Sequence, residues 1–313
     1  PLMVAGQRDN GFNCLRIMNM RMMIAALSCL VLCQVSNCAN AVESEYKTCV
    51  MVYKKVGDVE LKAYVYFPKS HKVSDNRAVI LFFFGGGWNG GTPTQFEEHC
   101  KYLAARGMVA ATVDYRVKTR HGTTADCCVM DAKSAIRWMR SSAGKLGVDP
   151  NRIVAAGGSA GGHIAACTGV VSGWEEKGED LKVSSQPNAM VLFNPALVLA
   201  DITGEYAMGD KLKSLETRMN TNPVNLSPYH QVNRKSPPTI IFHGKADDVV
   251  HYKTAELYAA KAGALGRVEL HGYADQSHGF FNFKKNNGEF YKKTVAKMDA
   301  FLVSLQYLDS VNH

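Results

Sequence analysis

The segment RIVAAGGSAGGHIAA, residues 152–166, decides how this chain folds. Apolar residues lead into Ser159, and a run of small residues follows it. The first run predicts a buried strand and the second a helix, so Ser159 falls on a sharp strand-to-helix turn. Such a turn brings the entering and leaving segments close together, and only very small side chains at Gly157 and Gly161 fit there.

The segments on either side of this turn predict an α/β protein with a mostly parallel, doubly wound sheet. Two β-branched and aromatic runs flank Gly57-Asp58 and predict an antiparallel hairpin, 46–55 and 59–68. Further short and almost continuously apolar runs suit parallel strands that are covered on both faces. They lie at 77–84, 108–115, 152–158, 189–194, 239–244 and 267–272. Helical patterns alternate with them at 94–106, 126–143, 160–171, 252–265 and 289–307.

Composition indicates one globular domain and gives little support for a nucleic-acid surface. The chain has 313 residues, of which 46% are hydrophobic and 20% charged, enough to bury a large core. We expect the catalytic domain to span 42–313. The net charge is +8, but the lysines and arginines are scattered and form no stripe with interleaved aromatics.

The first 41 residues have the pattern of a secretory leader. Arginines precede the apolar run MMIAALSCLVLC, 22–33, and small residues end at Ala41, where we expect cleavage. A membrane anchor is less favoured, because the run is well short of the roughly 20 residues that span a bilayer. Residues 1–17 precede plausible start methionines and are a candidate for a misassigned start, and lipoprotein processing at a leader cysteine stays open. The sequence thus predicts a secreted or periplasmic protein with no stable membrane span after removal of the leader.

The GGSAGG turn carries the first chemical prediction. Its G-x-S-x-G pattern, 157–161, matches the nucleophile elbow of the α/β-hydrolases, and it lacks the Lys-Ser/Thr ending of a phosphate-binding loop. A serine nucleophile needs a base and an acid that orients the base, and in this fold they follow in the order Ser, Asp or Glu, His. Asp247 and His278 follow later predicted strands in that order, with Asp248 and Asp275 as rival acids.

Asp247 is preferred over its rivals because of the residues around it. The segment from Gly244 to Val250 resembles the H-G-x-x-D-x-x-V-P segment of that family, with His251 in place of the proline. Asp275 precedes His278 by three residues and would share its loop.

Three glycines after the strand 77–84 predict an oxyanion hole. Gly85-Gly86-Gly87 resembles the HGGG loop of esterases and lipases, with Phe84 where that family usually has histidine. The resemblance implies that the amides of Gly86, Gly87 and Ala160 stabilise the oxyanion.

Taken together, these segments resemble an α/β-hydrolase of the esterase and lipase group. The stretches GGGW, DYRV, DAKSAIRWMR and DPNRIVAAGGSAGGH are most similar to secreted carbohydrate-esterase-like members, the acetyl xylan and feruloyl esterases. The resemblance implies a serine esterase that hydrolyses short-chain carboxylic esters of carbohydrates through an acyl-enzyme. It implies a small-molecule or polysaccharide ester as substrate and requires no metal or organic cofactor.

Other functions stay open at this point. A generic carboxylesterase and a serine peptidase of the prolyl-oligopeptidase type use the same residue order, although such peptidases usually carry a large extra domain. A catalytically silent binding protein normally lacks one of the three residues. The segment 197–236 contains no long apolar helix, and we expect it to form a partial cap suited to short acyl groups.

The cysteines are predicted to be core or disulfide residues. Five remain after the leader, and no C-x-x-C pair or H-E-x-x-H helix indicates zinc; they are Cys49, Cys100, Cys127, Cys128 and Cys167. Because the fold usually packs the helices 126–143 and 160–171 side by side, a Cys128–Cys167 bridge is a hypothesis.

Overall fold

The computed structural model describes residues 45–310, which lie in one compact unit. The predicted leader, 1–41, lies outside the described residues, and its cleavage stays a prediction. Within the described part the strands form one eight-stranded sheet, in which strands numbered along the chain lie in the order 1-2-4-3-5-6-7-8. The first two strands form the predicted antiparallel hairpin, the second pairs antiparallel with the fourth, and all other neighbours are parallel.

The strands agree with the predicted runs to within a few residues, so the α/β-hydrolase fold class is confirmed. They are β1 Tyr46–Val56, β2 Val59–Pro68, β3 Arg77–Phe83, β4 Val109–Val113, β5 Val148–Gly158, β6 Ala189–Phe193, β7 Thr239–Gly244 and β8 Val268–Tyr273. The largest difference is at β5, which begins four residues before the predicted Arg152 because Val148 pairs with Arg77 of β3.

Helices cover both faces of the sheet, as expected for parallel strands. The α-helices are α1 Glu97–Ala105, α2 Lys118–His121, α3 Ala125–Ser141, α4 Ala143–Leu146, α5 Ala160–Val170, α6 Lys211–Met219, α7 Pro228–Gln231, α8 Tyr252–Gly263 and α9 Glu289–Ser304. Short 3₁₀ helices lie at Val73–Asp75, Pro93–Phe96, Pro223–Leu226 and Lys285–Gly288. No α-helix within residues 45–310 is long and apolar enough to cross a membrane.

The core has two layers, one on each face of the sheet. Alternate residues of β3 divide between them: Leu81 packs against the layer that contains α3 and α5, and Phe82 against the layer that contains α1 and α9. The five residues of β4 and of β6 are all buried. Burial of this extent on both faces accounts for the nearly continuous apolar runs in the sequence.

The Cys128–Cys167 hypothesis is wrong, because both residues are free thiols. The helices that carry them, α3 and α5, do pack together, but the two sulfurs have other partners. The thiol of Cys128 donates to the carbonyl of Arg116 at 3.1 Å, while Sγ of Cys167 lies 3.3 Å from Nε2 of His163. Helix packing alone therefore does not bring two cysteines into bonding geometry.

Candidate active site

Ser159 lies on the turn between β5 and α5, in a backbone conformation that side chains rarely adopt. Its φ is 54° and its ψ is −119°, so the residue is strained and is held by its surroundings. The amide of Ser159 donates to the carbonyl of Phe193 at 2.9 Å, which fixes the turn to the end of β6. The turn therefore presents the serine side chain at the carboxyl edge of the sheet.

The two glycines that the sequence singled out stand where the chain crosses itself closely. A Cβ on Gly157 would lie 2.5 Å from the carbonyl oxygen of Gly161. A Cβ on Gly161 would lie 2.1 Å from the carbonyl oxygen of Phe83. Both distances are too short for non-bonded atoms, so the turn needs glycine at both positions.

The structure brings the three predicted side chains together in one hydrogen-bonded row. Nε2 of His278 lies 2.9 Å from Oγ of Ser159, and its Nδ1 lies 2.7 Å from Oδ2 of Asp247. Because an ionised carboxylate only accepts, Nδ1 carries the proton and Nε2 accepts from the serine hydroxyl. This is the geometry in which an imidazole can take the serine proton.

Asp247 is held as a carboxylate by its neighbours. Its Oδ1 accepts the backbone N–H groups of Val249 and Val250 at 3.0 and 2.9 Å. Burial by itself raises the pKa of Asp247, but hydrogen bonds from His243, His278 and Val250 outweigh it and hold the pKa well below its usual range. Asp247 is therefore ionised at neutral pH.

The rival acids are not part of this row. Asp248 and Asp275 are both exposed, and within residues 45–310 neither is hydrogen-bonded to His278. Of these three acids in the described residues, Asp247, which is 5% exposed, is the one that contacts the imidazole.

The loop after β3 is fixed by an aromatic pair where the family has histidine. The ring of Phe84 is stacked on that of Tyr115 with centroids 4.1 Å apart, and the Tyr115 hydroxyl donates to the Phe84 carbonyl at 2.6 Å. Phe84 thus braces the loop by packing.

The three predicted oxyanion-hole residues differ in position. Gly87 and Ala160 line the same cavity as Ser159, whereas Gly86 is exposed and is not among its lining residues. The Gly86 carbonyl accepts the amides of Asn89 and Gly90 at 3.0 and 3.2 Å. These bonds fix and polarise the peptide group whose N–H belongs to Gly87.

The cavity beside Ser159 has a volume of about 280 Å³ and is lined in part by the segment 197–236, in agreement with the partial cap that the sequence predicts. Helix α6 of that segment was not predicted, because its sequence KLKSLETRM has only two buried residues. The lining residues from this segment are Val198, Leu199, Tyr206, Met208, Lys211, Ser214, Leu215 and Arg218. Trp88 and Arg218 are lining residues that the sequence analysis missed.

His163 lies on α5 behind the serine and connects two parts of the site. Its Nδ1 accepts the indole N–H of Trp88 at 3.1 Å, so its Nε2 donates to the Leu226 carbonyl at 2.7 Å. Burial lowers the pKa of His163 to about 4, and the Leu226 carbonyl opposes this only in part. His163 is therefore neutral and structural at neutral pH.

Comparison with known proteins relates this site to esterases. The BD-FAE family model matches residues 64–261. Esterase LipC of Mycobacterium tuberculosis is 28% identical over 222 residues, which are 64% of this chain and 53% of LipC. The chain thus spans about half the length of this curated relative.

Two solved structures of a Planctomycetes enzyme are more similar. Thermogutta terrifontis esterase 2 phosphonylated by sarin is 47% identical with a TM-score of 0.82, covering 84% of this chain and 97% of that chain. The propionate-bound form of the same thermophilic esterase is 48% identical with a TM-score of 0.80, covering 85% of this chain and 97% of that one. The fold therefore agrees with that of a solved esterase over nearly the whole of the solved chain.

Proposed function

The chain belongs to the BD-FAE family, and we propose that it hydrolyses carboxylic esters with Ser159 as nucleophile. This proposal rests on one observation: His278 lies within hydrogen-bond distance of both Ser159 and Asp247. The esterase relatives and solved esterases support the same reaction class.

In the first half of the reaction, Nε2 of His278 takes the proton of Ser159 as Oγ attacks the ester carbonyl carbon. The carbonyl oxygen becomes an oxyanion, and the amides of Gly86, Gly87 and Ala160 are the proposed donors to it. Since Gly86 does not line the cavity, Gly87 and Ala160 are the better-placed pair.

The alcohol then leaves with the proton from His278, and Ser159 remains acylated. In the second half, His278 takes a proton from a water that attacks the acyl carbon, and it returns that proton to Ser159 as the acid departs. Asp247 keeps the imidazole in the required tautomer and stabilises the imidazolium that forms in each half.

We propose short acyl groups as the substrate class, with acetyl or feruloyl esters of carbohydrates as the first choice. The small cavity and the absence of a long apolar helix among the described cap residues favour a short acyl chain. The propionate bound to the Thermogutta esterase supports the same class. The carbohydrate part rests on the sequence resemblance, and a generic short-chain carboxylesterase is the alternative.

An acyl-length series tests both parts of this proposal. We expect the highest kcat/KM on p-nitrophenyl esters of two to four carbons, and release of acetate from acetylated xylan or of ferulate from methyl ferulate. A preference for eight or more carbons would contradict the short-acyl class. Activity on the p-nitrophenyl esters, but on neither acetylated xylan nor methyl ferulate, would favour the generic carboxylesterase.

We also propose that the protein is exported, as a secreted or periplasmic protein. The apolar run 22–33 and the small residues up to Ala41 support this. N-terminal sequencing of the protein from its native host tests it, with Val42 as the expected first residue.

A further inference from the structure

Arg218 connects the cap helix α6 to the loop that carries the proposed oxyanion donors. Its Nη2 donates to the carbonyl of Gly87 at 2.6 Å. Its guanidinium also lies over the ring of Trp88, with Cζ 4.9 Å from the ring centroid. One side chain from the cap thus contacts two consecutive residues of the loop.

In the part of the chain that the structure describes, the guanidinium forms no ion pair that would explain its position. Among residues 45–310 it faces no carboxylate, and it is half-buried. Burying a cation without a counter-ion is unfavourable, and burial lowers the pKa of Arg218 accordingly. Its contacts are with the loop instead.

The loop residues that Arg218 contacts have backbone conformations that need support. Gly87 has a φ of 61°, and Trp88, which is not glycine, also has a φ of 61°. A bulky residue in this region is strained, and it persists only where its surroundings hold it.

The other contacts of this loop come mainly from residues outside the cap segment 197–236. Tyr115 binds the Phe84 carbonyl and Gln95 accepts the Gly85 amide at 2.6 Å. The Lys118 amide donates to the Trp88 carbonyl at 3.2 Å. None of these contacts reaches the Gly87 carbonyl, which is bound by Arg218.

A second connection runs from the same tryptophan back to the cap. The indole of Trp88 donates to His163, and His163 donates to Leu226 in the 3₁₀ helix of the cap segment. Trp88 is therefore contacted by Arg218 over its ring and connected through its indole N–H to a second point of the segment 197–236.

We infer that Arg218 is a positioning residue for ester hydrolysis, which fixes the Gly87–Trp88 peptide and thereby restricts rotation about Gly87, the residue that joins this peptide to the one carrying the Gly87 N–H, a proposed oxyanion donor. This inference rests on the proposed function. It assigns the cap segment a role in catalysis besides covering the cavity, because the Gly87 carbonyl is bound by a side chain of α6.

Such a role predicts that loss of Arg218 changes kcat more than KM. The oxyanion forms only in the transition state, so a misplaced donor weakens transition-state binding and leaves substrate binding nearly unchanged. A residue that merely bound substrate would change KM instead, and a purely structural residue would change the unfolding midpoint alone.

The experiment compares Arg218→Met with Lys213→Met, an exposed lysine on the same helix. With p-nitrophenyl butyrate we expect Arg218→Met to lower kcat by roughly 10- to 100-fold, less than the loss of an oxyanion donor itself, with KM within about threefold. A trifluoromethyl ketone, whose adduct with serine carries an oxyanion, should bind more weakly by a similar factor. Millimolar guanidinium should restore part of the activity of Arg218→Ala, and Arg218→Lys should lie between the wild type and Arg218→Met.

Hydrogen exchange of the peptide 85–91 gives a readout that does not depend on activity. We expect faster exchange there in Arg218→Met than in Lys213→Met. Equal exchange in the two variants would overturn the inference, as would an unchanged kcat or a change confined to KM. If Arg218→Met does not fold, Arg218→Gln replaces it in each measurement.

The two proposals fail in different ways. A wild-type protein without ester hydrolysis would remove the proposed function, and the exchange measurement would still decide whether Arg218 holds the loop. An active wild type with an active Arg218→Met would overturn the positioning role alone.

Discussion

Oδ2 of Asp247 lies 2.7 Å from Nδ1 of His278, while the other oxygen of the same carboxylate is bound by two backbone amides. The carboxylate is thus fixed in orientation before it meets the imidazole. This contact determines which nitrogen of His278 is free to accept the proton of Ser159.

Asp247→Asn should therefore reduce kcat by roughly a thousandfold or more, because an amide that donates to Nδ1 selects the wrong imidazole tautomer. The measurement is steady-state hydrolysis of a p-nitrophenyl ester. Asp248→Asn is the matched control, since Asp248 is the exposed neighbour, and it should retain activity within about twofold. Equal losses in the two variants would show that Asp247 is not the orienting acid.

Gly161→Ala should destabilise the fold by about 3 kcal/mol or more, because the new Cβ would lie 2.1 Å from the Phe83 carbonyl oxygen. Gly144→Ala offers a matched comparison, since nothing lies within 4 Å of its added Cβ. That variant should be neutral or more stable by about 0.5 kcal/mol. Urea unfolding of both variants checks this, and similar midpoints would contradict the close packing of the turn.

Tyr115→Phe should weaken the support of the loop that follows β3. The substitution removes the hydroxyl that binds the Phe84 carbonyl at 2.6 Å and leaves that buried oxygen without its donor. We expect a loss of about 1 to 3 kcal/mol in the free energy of unfolding, together with a lower kcat. Tyr64→Phe, at a partly buried tyrosine of β2, serves as the control. A Tyr115→Phe protein as stable and active as that control would show that the stacked Phe84 ring suffices.

Stability should fall as the pH drops from 7 to 5, because two buried histidines have lowered pKa values. Burial lowers the pKa of His99 to about 3 and that of His163 to about 4. Between an unfolded pKa of about 6.5 and these values, the unfolded chain binds protons that the folded protein does not, so acid favours unfolding. The two residues together should cost about 3 to 4 kcal/mol by pH 5.

His99→Leu isolates one half of this effect. Both ring nitrogens of His99 are buried and have no hydrogen-bond partner among residues 45–310, and the rings around them include Phe82 and Tyr291. The variant should be at least as stable at pH 7, and its loss between pH 7 and 5 should be smaller by about half. An unchanged pH dependence in urea unfolding would mean that His99 is not a buried neutral histidine.

The sequence was most informative where local chemistry determines local structure. The glycines around Ser159 predicted the turn because the chain closes on itself there, and the order of Asp247 and His278 predicted which loops meet at one sheet edge. Parallel strands buried on both faces gave long apolar runs, so their positions were clear.

Contacts between distant segments were not predictable in this way. Arg218 stands in a polar helix that resembles any solvated surface helix, and nothing near it in sequence points to Gly87. The Cys128–Cys167 hypothesis was wrong for the same reason: adjacent helices were predicted correctly, but the rotation of each helix about its axis was not. Phe84 was seen as a departure from the family, and its partner Tyr115 became clear only in the folded structure.

Covalent capture of Ser159 tests the central claim most directly. The protein is incubated with a fluorophosphonate, digested, and analysed by mass spectrometry alongside Ser159→Ala. The account predicts a single stoichiometric adduct on Ser159, its absence in the variant, and loss of ester hydrolysis in step with labelling. Hydrolysis that persists in a folded Ser159→Ala protein, or an adduct on another residue with Ser159 unmodified, would contradict it.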